Sequence, residues 1–170
     1  TLSGSDIDGD NLTFTLASGA TSGSVTVQGS QATYTPSANY NGSDSFIFAA
    51  SDGEYSATAT VTLTVTAVND APALAAVSAV TFDEDESTII TLPGSDVDGD
   101  DLSYIVSGGT NITATVDGST VSFTAINNYN GSENFIANVT DGYLISSQSF
   151  TVTVNAVNDQ PTADAASGTV

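Results

Sequence analysis

Two short strings carry acids in one fixed pattern. Asp6-Ile7-Asp8-Gly9-Asp10 returns 90 positions later as Asp96-Val97-Asp98-Gly99-Asp100. Carboxylates at alternate positions beside a glycine supply hard oxygen donors at a turn. Ca²⁺ takes six to eight such oxygens, while Mg²⁺ takes fewer protein ligands and keeps its water. A second string, Val-Asn-Asp-x-Pro, occurs at Val68–Pro72 and again at Val157–Pro161. There Asn69, Asp70, Asn158 and Asp159 add side-chain oxygens, and the proline fixes φ and stiffens the crossing. Asp52 and Asp141 each precede a glycine in a Ser/Thr-Asp-Gly turn, and Asp83, Glu84, Asp85 and Glu86 stand in one run. A lone D-x-D-G-D marks only a solvated turn. Two copies in register with two joints and two Ser/Thr-Asp-Gly turns mark cation sites. The EF-hand is excluded, because it needs Gly sixth and Glu twelfth, and counting from Asp96 those places hold Asp101 and Ser107. The glycine-rich nonapeptide calcium repeat is also absent.

Composition narrows the partners. The chain has 20 acidic residues and no Lys, Arg or His, for a formal charge of −20. A surface without cations cannot neutralise phosphates, which excludes nucleic-acid binding. Anionic membranes repel it, and no apolar run approaches the ~18 residues of a span. There is no Cys, so disulfides and soft-metal sites are excluded, and Zn²⁺ and Cu²⁺ lack their favoured ligands. The natural partner is a hard cation. High net charge is the usual mark of disorder, yet regular alternation and recurrent aromatic residues call for packed cores. A halophile-type surface would scatter its acids; these are clustered. No signal peptide is visible, which reads as a mature piece or an internal fragment.

The elements that position the acids come from an internal repeat. Asn39-Tyr40-Asn41-Gly42 returns as Asn128-Tyr129-Asn130-Gly131, and the two joints share the same shift of 89. The repeat predicts three parts: 1–70, lacking its first strand; 71–159, complete; and 160–170, the start of a third. Period-2 alternation without helical periodicity predicts an all-β fold. In the second part strands are predicted at about 73–82, 87–93, 102–106, 112–116, 120–124, 133–139 and 143–156. In the first they fall at 12–16, 24–27, 31–35, 45–50 and 55–67. Seven short strands with frequent turns predict tandem seven-stranded Greek-key sandwiches joined end to end by calcium-binding linkers.

Alternating strand directions then sort the acids to the two ends of each unit. Asp6, Asp8, Asp10, Asp52, Asp96, Asp98, Asp100 and Asp141 fall at one end. Asp44, Asp83, Asp85, Glu86, Glu133 and Asp159 fall at the other. The two ends of the 87–93 strand lie over ~20 Å apart at ~3.3 Å per residue. Stacking predicts that Asp44, Asn69 and Asp70 of the first unit face Asp96, Asp98, Asp100 and Asp141 of the second. Carboxylates gathered in this way repel one another without a cation.

The set Phe82–Glu86, Ser95–Asp100, Asn128–Ser132, Thr140–Gly142 and Val-Asn-Asp-x-Pro resembles bacterial cadherin-like tandem repeats. Such repeats form extender regions of large secreted adhesins and other surface proteins. The resemblance covers nearly the whole chain. It implies calcium held by Glu86 or its neighbours at the base of one unit, by the linkers Asn69-Asp70 and Asn158-Asp159, and by Asp96 and Asp98 at the top of the next. Asp52 and Asp141 match the Asp of the last turn. The linker is shorter than in animal cadherins.

The function this implies is a non-enzymatic, calcium-rigidified spacer in an extracellular adhesin or cell-surface filament. Its partners are neighbouring repeats of the same chain or other copies arranged head to tail. The register of the two ends predicts a window on a longer chain or a filament in which a tail strand fills an open edge. The alternative is a carbohydrate-binding accessory module directed at cell-surface glycans. It would need aromatic platforms, for which only Tyr55 and Tyr143 stand out. A carboxylate pair for glycoside hydrolysis would need a cleft, and these acids are expected at rod ends.

Overall fold

Alternation of apolar and polar residues decides the local structure. In β13 (Gly131–Thr140), Phe135, Ala137 and Val139 are buried and the residues between them turn outward. In β5 (Ser56–Val65), Val61, Leu63 and Val65 turn inward while Thr60, Thr62 and Thr64 stay exposed. The pleat sends successive side chains to opposite faces, so each strand covers one core. The computed structural model describes residues 1–163, all in strands and connections without a helix. The chain divides into unit one, Thr1–Asn69, and unit two from Asp70 onward. Residues 160–163 form no strand, and the rest of the expected third repeat, 164–170, lies outside the described residues.

Unit two is a two-sheet sandwich. One sheet has the order β10 (Ser103–Gly108), β13, β14 (Ile145–Asn155), β7 (Val80–Asp83); the other is β11 (Ile112–Asp117), β12 (Thr120–Ala125), β8 (Ser87–Thr91). A small third ladder pairs β6 (Ala73–Leu74) with β9 (Gly94–Ser95). Three aromatic rings fill the centre. Phe123 meets Phe135 edge-on at 5.3 Å and Phe150 at 5.9 Å, while Phe135 and Phe150 stack at 6.0 Å. Val121, Val139 and Val152 are fully buried around them. Burying each such side chain contributes about 1.5–3 kcal/mol.

The all-β Greek-key class is the one expected, with one correction. The first strand, expected as 73–82, is broken. Its first piece, β6, pairs antiparallel with β9, and its second, β7, pairs in parallel with β14 through Val80↔Val152 to Asp83↔Asn155. One strand position serves both sheets, so residues 75–79 must cross between them. The 87–93 strand also ends early. Pro93 separates β8 from β9 and has no N–H for the ladder.

Unit one has two sheets, β1 (Thr13–Ser18)-β4 (Gly42–Ser51)-β5 and β2 (Gly23–Gln28)-β3 (Gln31–Pro36). Its core holds Leu2, Phe46 and Phe48, with half-buried Val61 and Leu63 against them. The Asn-Tyr-Asn-Gly motif precedes the long β4 and β13 strands for a steric reason. Asn39 and Asn128 take φ of 59° and 55°, a left-handed region that Asn tolerates. Gly131 takes φ of 150°, and a Cβ there would stand 2.8 Å from the Tyr129 hydroxyl. The ring therefore folds over a position only glycine can fill.

Candidate metal centre

The D-x-D-G-D loop of unit two closes on its first carboxylate. Asp96 Oδ1 accepts the backbone N–H of Asp98 at 2.8 Å, Gly99 at 3.1 Å and Asp100 at 3.4 Å. Gly99 supplies the φ of 83° that this curl requires. The curl brings one oxygen each of Asp96, Asp98 and Asp100 within 4.8 Å of one another. Among the described residues this is the one group of three acids that meets so closely. Asp96 Oδ2 is buried and has no hydrogen-bond partner, a costly state for a carboxylate oxygen unless something positive meets it. Burial and then the charges of Asp96, Asp98, Asp141 and Asp101 hold Asp100 above the ordinary carboxylate value. Asp141 thus belongs to the same electrostatic field. Asp98 Oδ2 accepts the N–H of Asp70 at 2.8 Å, which ties the first Val-Asn-Asp-x-Pro joint to the loop. The donor set is all oxygen, so the residues fit Ca²⁺ and do not fit Zn²⁺ or Cu²⁺.

The other predicted ligands are distributed differently. In unit one Asp6 Oδ1 accepts the N–H of Asp8 at 2.8 Å and of Asp10 at 3.2 Å, so the same curl begins there, but the three acids do not converge as in unit two. Asp52 Oδ1 accepts the N–H groups of Tyr55 and Glu54, both at 2.7 Å, which lower its pKa. Asp141 Oδ1 likewise accepts from Tyr143 and Leu144, both at 2.6 Å. Each therefore caps its own turn.

Asp44 and Glu133 require correction as cation ligands. Asp44 is 8% exposed. Its oxygens accept the N–H of Thr21 at 3.1 Å, Ser22 at 2.9 Å and Ser45 at 2.8 Å, and the Tyr34 hydroxyl at 3.0 Å. Burial works to raise its pKa, but these donors outweigh it and hold it below the ordinary value. Burial, and next the bond to Asp44, push Tyr34 up to about 12. Glu133 accepts the N–H of Thr110 at 2.8 Å, Asn111 at 3.0 Å and Ile112 at 3.1 Å, and the Asn111 side chain at 2.9 Å. Its pKa is lowered for the same reason, against the opposing effect of burial. Both carboxylates face inward and pin a loop of their own unit.

At the other end of unit two the acids also separate. Asp83 Oδ1 accepts the Asn155 side-chain amide at 2.9 Å, and Asp85, at φ 64°, accepts the N–H of Asn128 at 3.4 Å. Glu86 is exposed, and Asn158 Nδ2 donates to the Asp159 carbonyl at 3.2 Å. The glutamate that the fold buries is Glu84, at 6% exposure. It accepts the N–H of Val157 at 2.6 Å, one residue before Asn158-Asp159. Within unit two each joint is thus held by a carboxylate, the first by Asp98 and the second by Glu84. The signal was present in the period of two, since Val80 and Phe82 are buried and Glu84 is next in that series.

Comparison with known proteins agrees with this architecture. No curated protein matches the chain. Human protocadherin-24 repeats one and two superpose with a TM-score of 0.58 at 16% identity, covering 90% of this chain and 86% of that one; this likeness shows the fold alone. An endo-fucoidan hydrolase of glycoside hydrolase family 107 matches at 26% identity and a TM-score of 0.44, covering 89% of this chain. The chain spans about a quarter (24%) of that enzyme's length. Domains 1–6 of the surface layer protein SbsC match at 18% identity and a TM-score of 0.45, over 87% of this chain and 20% of that one. The family model described as bacterial Ig domain matches residues 1–66 and again 69–156, and the chain belongs to that family.

Proposed function

We propose that the chain is a non-catalytic, calcium-stiffened spacer of an extracellular or surface-associated protein. It works by holding distance. Its partners are further repeats of the same chain or other copies placed head to tail. The observation that carries this reading is the convergence of Asp96, Asp98 and Asp100 around a buried, unpartnered Asp96 oxygen. A bound Ca²⁺ supplies positive charge and oxygen coordination there. Asp96, Asp98 and Asp100 hold it, and Asp141 adds to the negative field. Asp98 also holds the Asp70 N–H, so an ordered loop fixes the start of unit two as well as the ion. Extracellular calcium modules bind with a Kd of roughly 10⁻⁴–10⁻³ M.

The test is calorimetric titration with Ca²⁺, together with small-angle scattering with and without chelator. Binding in the submillimolar to millimolar range, with a longer and narrower distance distribution when loaded, supports the spacer. No binding heat up to several millimolar and identical scattering curves overturn it. Glycan binding that persists with chelator and is lost on changing Tyr143, which is 85% exposed, to Ala would favour a carbohydrate-binding module instead.

A further inference from the structure

We infer that unit one carries a docking slot for a strand segment of the repeat's own opening pattern, the pattern that residues 73–90 show in unit two. The inference does not depend on any cation. Unit two shows what such a segment does. There β8 lies along β12, with Ile90 opposite Val121, and β7 lies along β14, with Val80 and Phe82 opposite Val152 and Val154. Under this cover Val121, Phe123 and Val152 are 0% exposed and Val154 2%.

The matching edges of unit one, on β3 and β5, carry no further strand among the described residues. Their counterparts of the four buried residues, Ala32, Tyr34, Leu63 and Val65, are only half-buried. A third observation agrees. A groove of about 380 Å³ opens beside Gly4, Phe48, Ala50 and Ala59. In unit two the counterpart of Gly4 is Gly94, which pairs with Leu74 of β6, and that of Ala59 is Gln148, whose side chain donates to the Leu74 carbonyl at 3.3 Å. The register is already set. Leu2 N–H donates to Ser30 O at 2.7 Å, as Leu92 N–H donates to Ser119 O at 2.8 Å.

The occupant is therefore a two-strand segment with apolar residues at the places of Leu74, Val80, Phe82 and Ile90 and a turn between the last two. Main-chain pairing to an open edge supplies affinity, and pockets for alternate side chains supply selectivity. Open edges of this kind otherwise invite indiscriminate pairing.

A synthetic peptide with the sequence of residues 71–90 tests the slot, added to the 170-residue chain while amide exchange is followed in β3 and β5. The same residues fused ahead of Thr1 provide the second measurement, since fusion raises the effective concentration. The expected result is exchange slowed at least tenfold in β3 and β5 and a higher melting temperature for unit one, in the peptide or the fusion form. The Val80→Ser, Phe82→Ser, Ile90→Ser version should do neither. No change in both forms, or equal effects from the serine version, overturns the inference. So does a self-associated chain whose copies hold these edges and yield nothing to the peptide.

Discussion

Asp44 and Glu133 stand at equivalent positions and do the same work with different reach. Asp44 is shorter and is completed by the Tyr34 hydroxyl; Glu133 is longer and sits near Phe123, the counterpart of Tyr34, taking its extra donor from the Asn111 amide. Their depressed pKa values set a sign for acid. Stability from these two groups is fully present above the ordinary carboxylate range and is lost as pH falls through the lower, folded values. A thermal melt series from pH 7 to pH 2 should show little change from these groups until below about 4. Glu133→Gln should flatten the acid limb of unit two and leave unit one's unchanged. Asp100 has the opposite sign. Its raised value means the fold disfavours its charge, so the calcium-free protein loses stability as pH rises through the range just above the usual carboxylate value. Asp100→Asn should therefore leave the chelated protein as stable or more so, while weakening calcium binding at least several-fold by titration. An Asp100→Asn protein that melts well below the parent in chelator would contradict this electrostatic picture.

At the scale of elements, legibility followed locality. Strands were readable because one face of each is buried and the period of two shows it. The D-x-D-G-D curl was readable because all its hydrogen bonds lie within four residues. The inward use of Asp44 was hidden, since its donors Thr21 and Ser22 are 23 and 22 positions away. The break in the first strand was hidden too, because both of its halves alternate correctly and only their partners differ. Packing and turn strain give separable predictions here. Phe123→Ala should cost unit two about 3–5 kcal/mol and leave the melting of unit one in place, by two-transition calorimetry. Gly131→Ala should also destabilise unit two, because its φ of 150° and the nearby Tyr129 hydroxyl both resist a Cβ. Pairing Gly131→Ala with Tyr129→Phe should recover the part due to contact and not the part due to φ.

For the whole molecule the dominant quantity is a charge of −20 with no cationic side chain to offset it. Self-repulsion of this size destabilises the compact state, and salt relieves it as the Debye length falls from ~30 Å at 0.01 M to ~3 Å at 1 M. In chelator, the melting temperature should climb steadily with NaCl. At matched ionic strength Ca²⁺ should raise it further than Na⁺ or Mg²⁺, because coordination adds to screening. Equal melting in all three at matched ionic strength would leave only screening and no site.

The parallel pairing of β7 with β14 has a mechanical consequence. These strands lie close to the two ends of unit two in sequence and run in the same direction. Tension applied to the chain therefore pulls them past each other lengthwise. All the main-chain bonds between Val80–Asp83 and Val152–Asn155 are then loaded in shear at once, whereas a hairpin pulled from its open end yields one bond at a time. A short patch of backbone can in this way set the force at which the whole sandwich gives way, separately from its thermal stability. Val80→Pro, which removes an N–H and distorts that patch, should lower the rupture force in single-molecule pulling by a larger fraction than it lowers the free energy of unfolding.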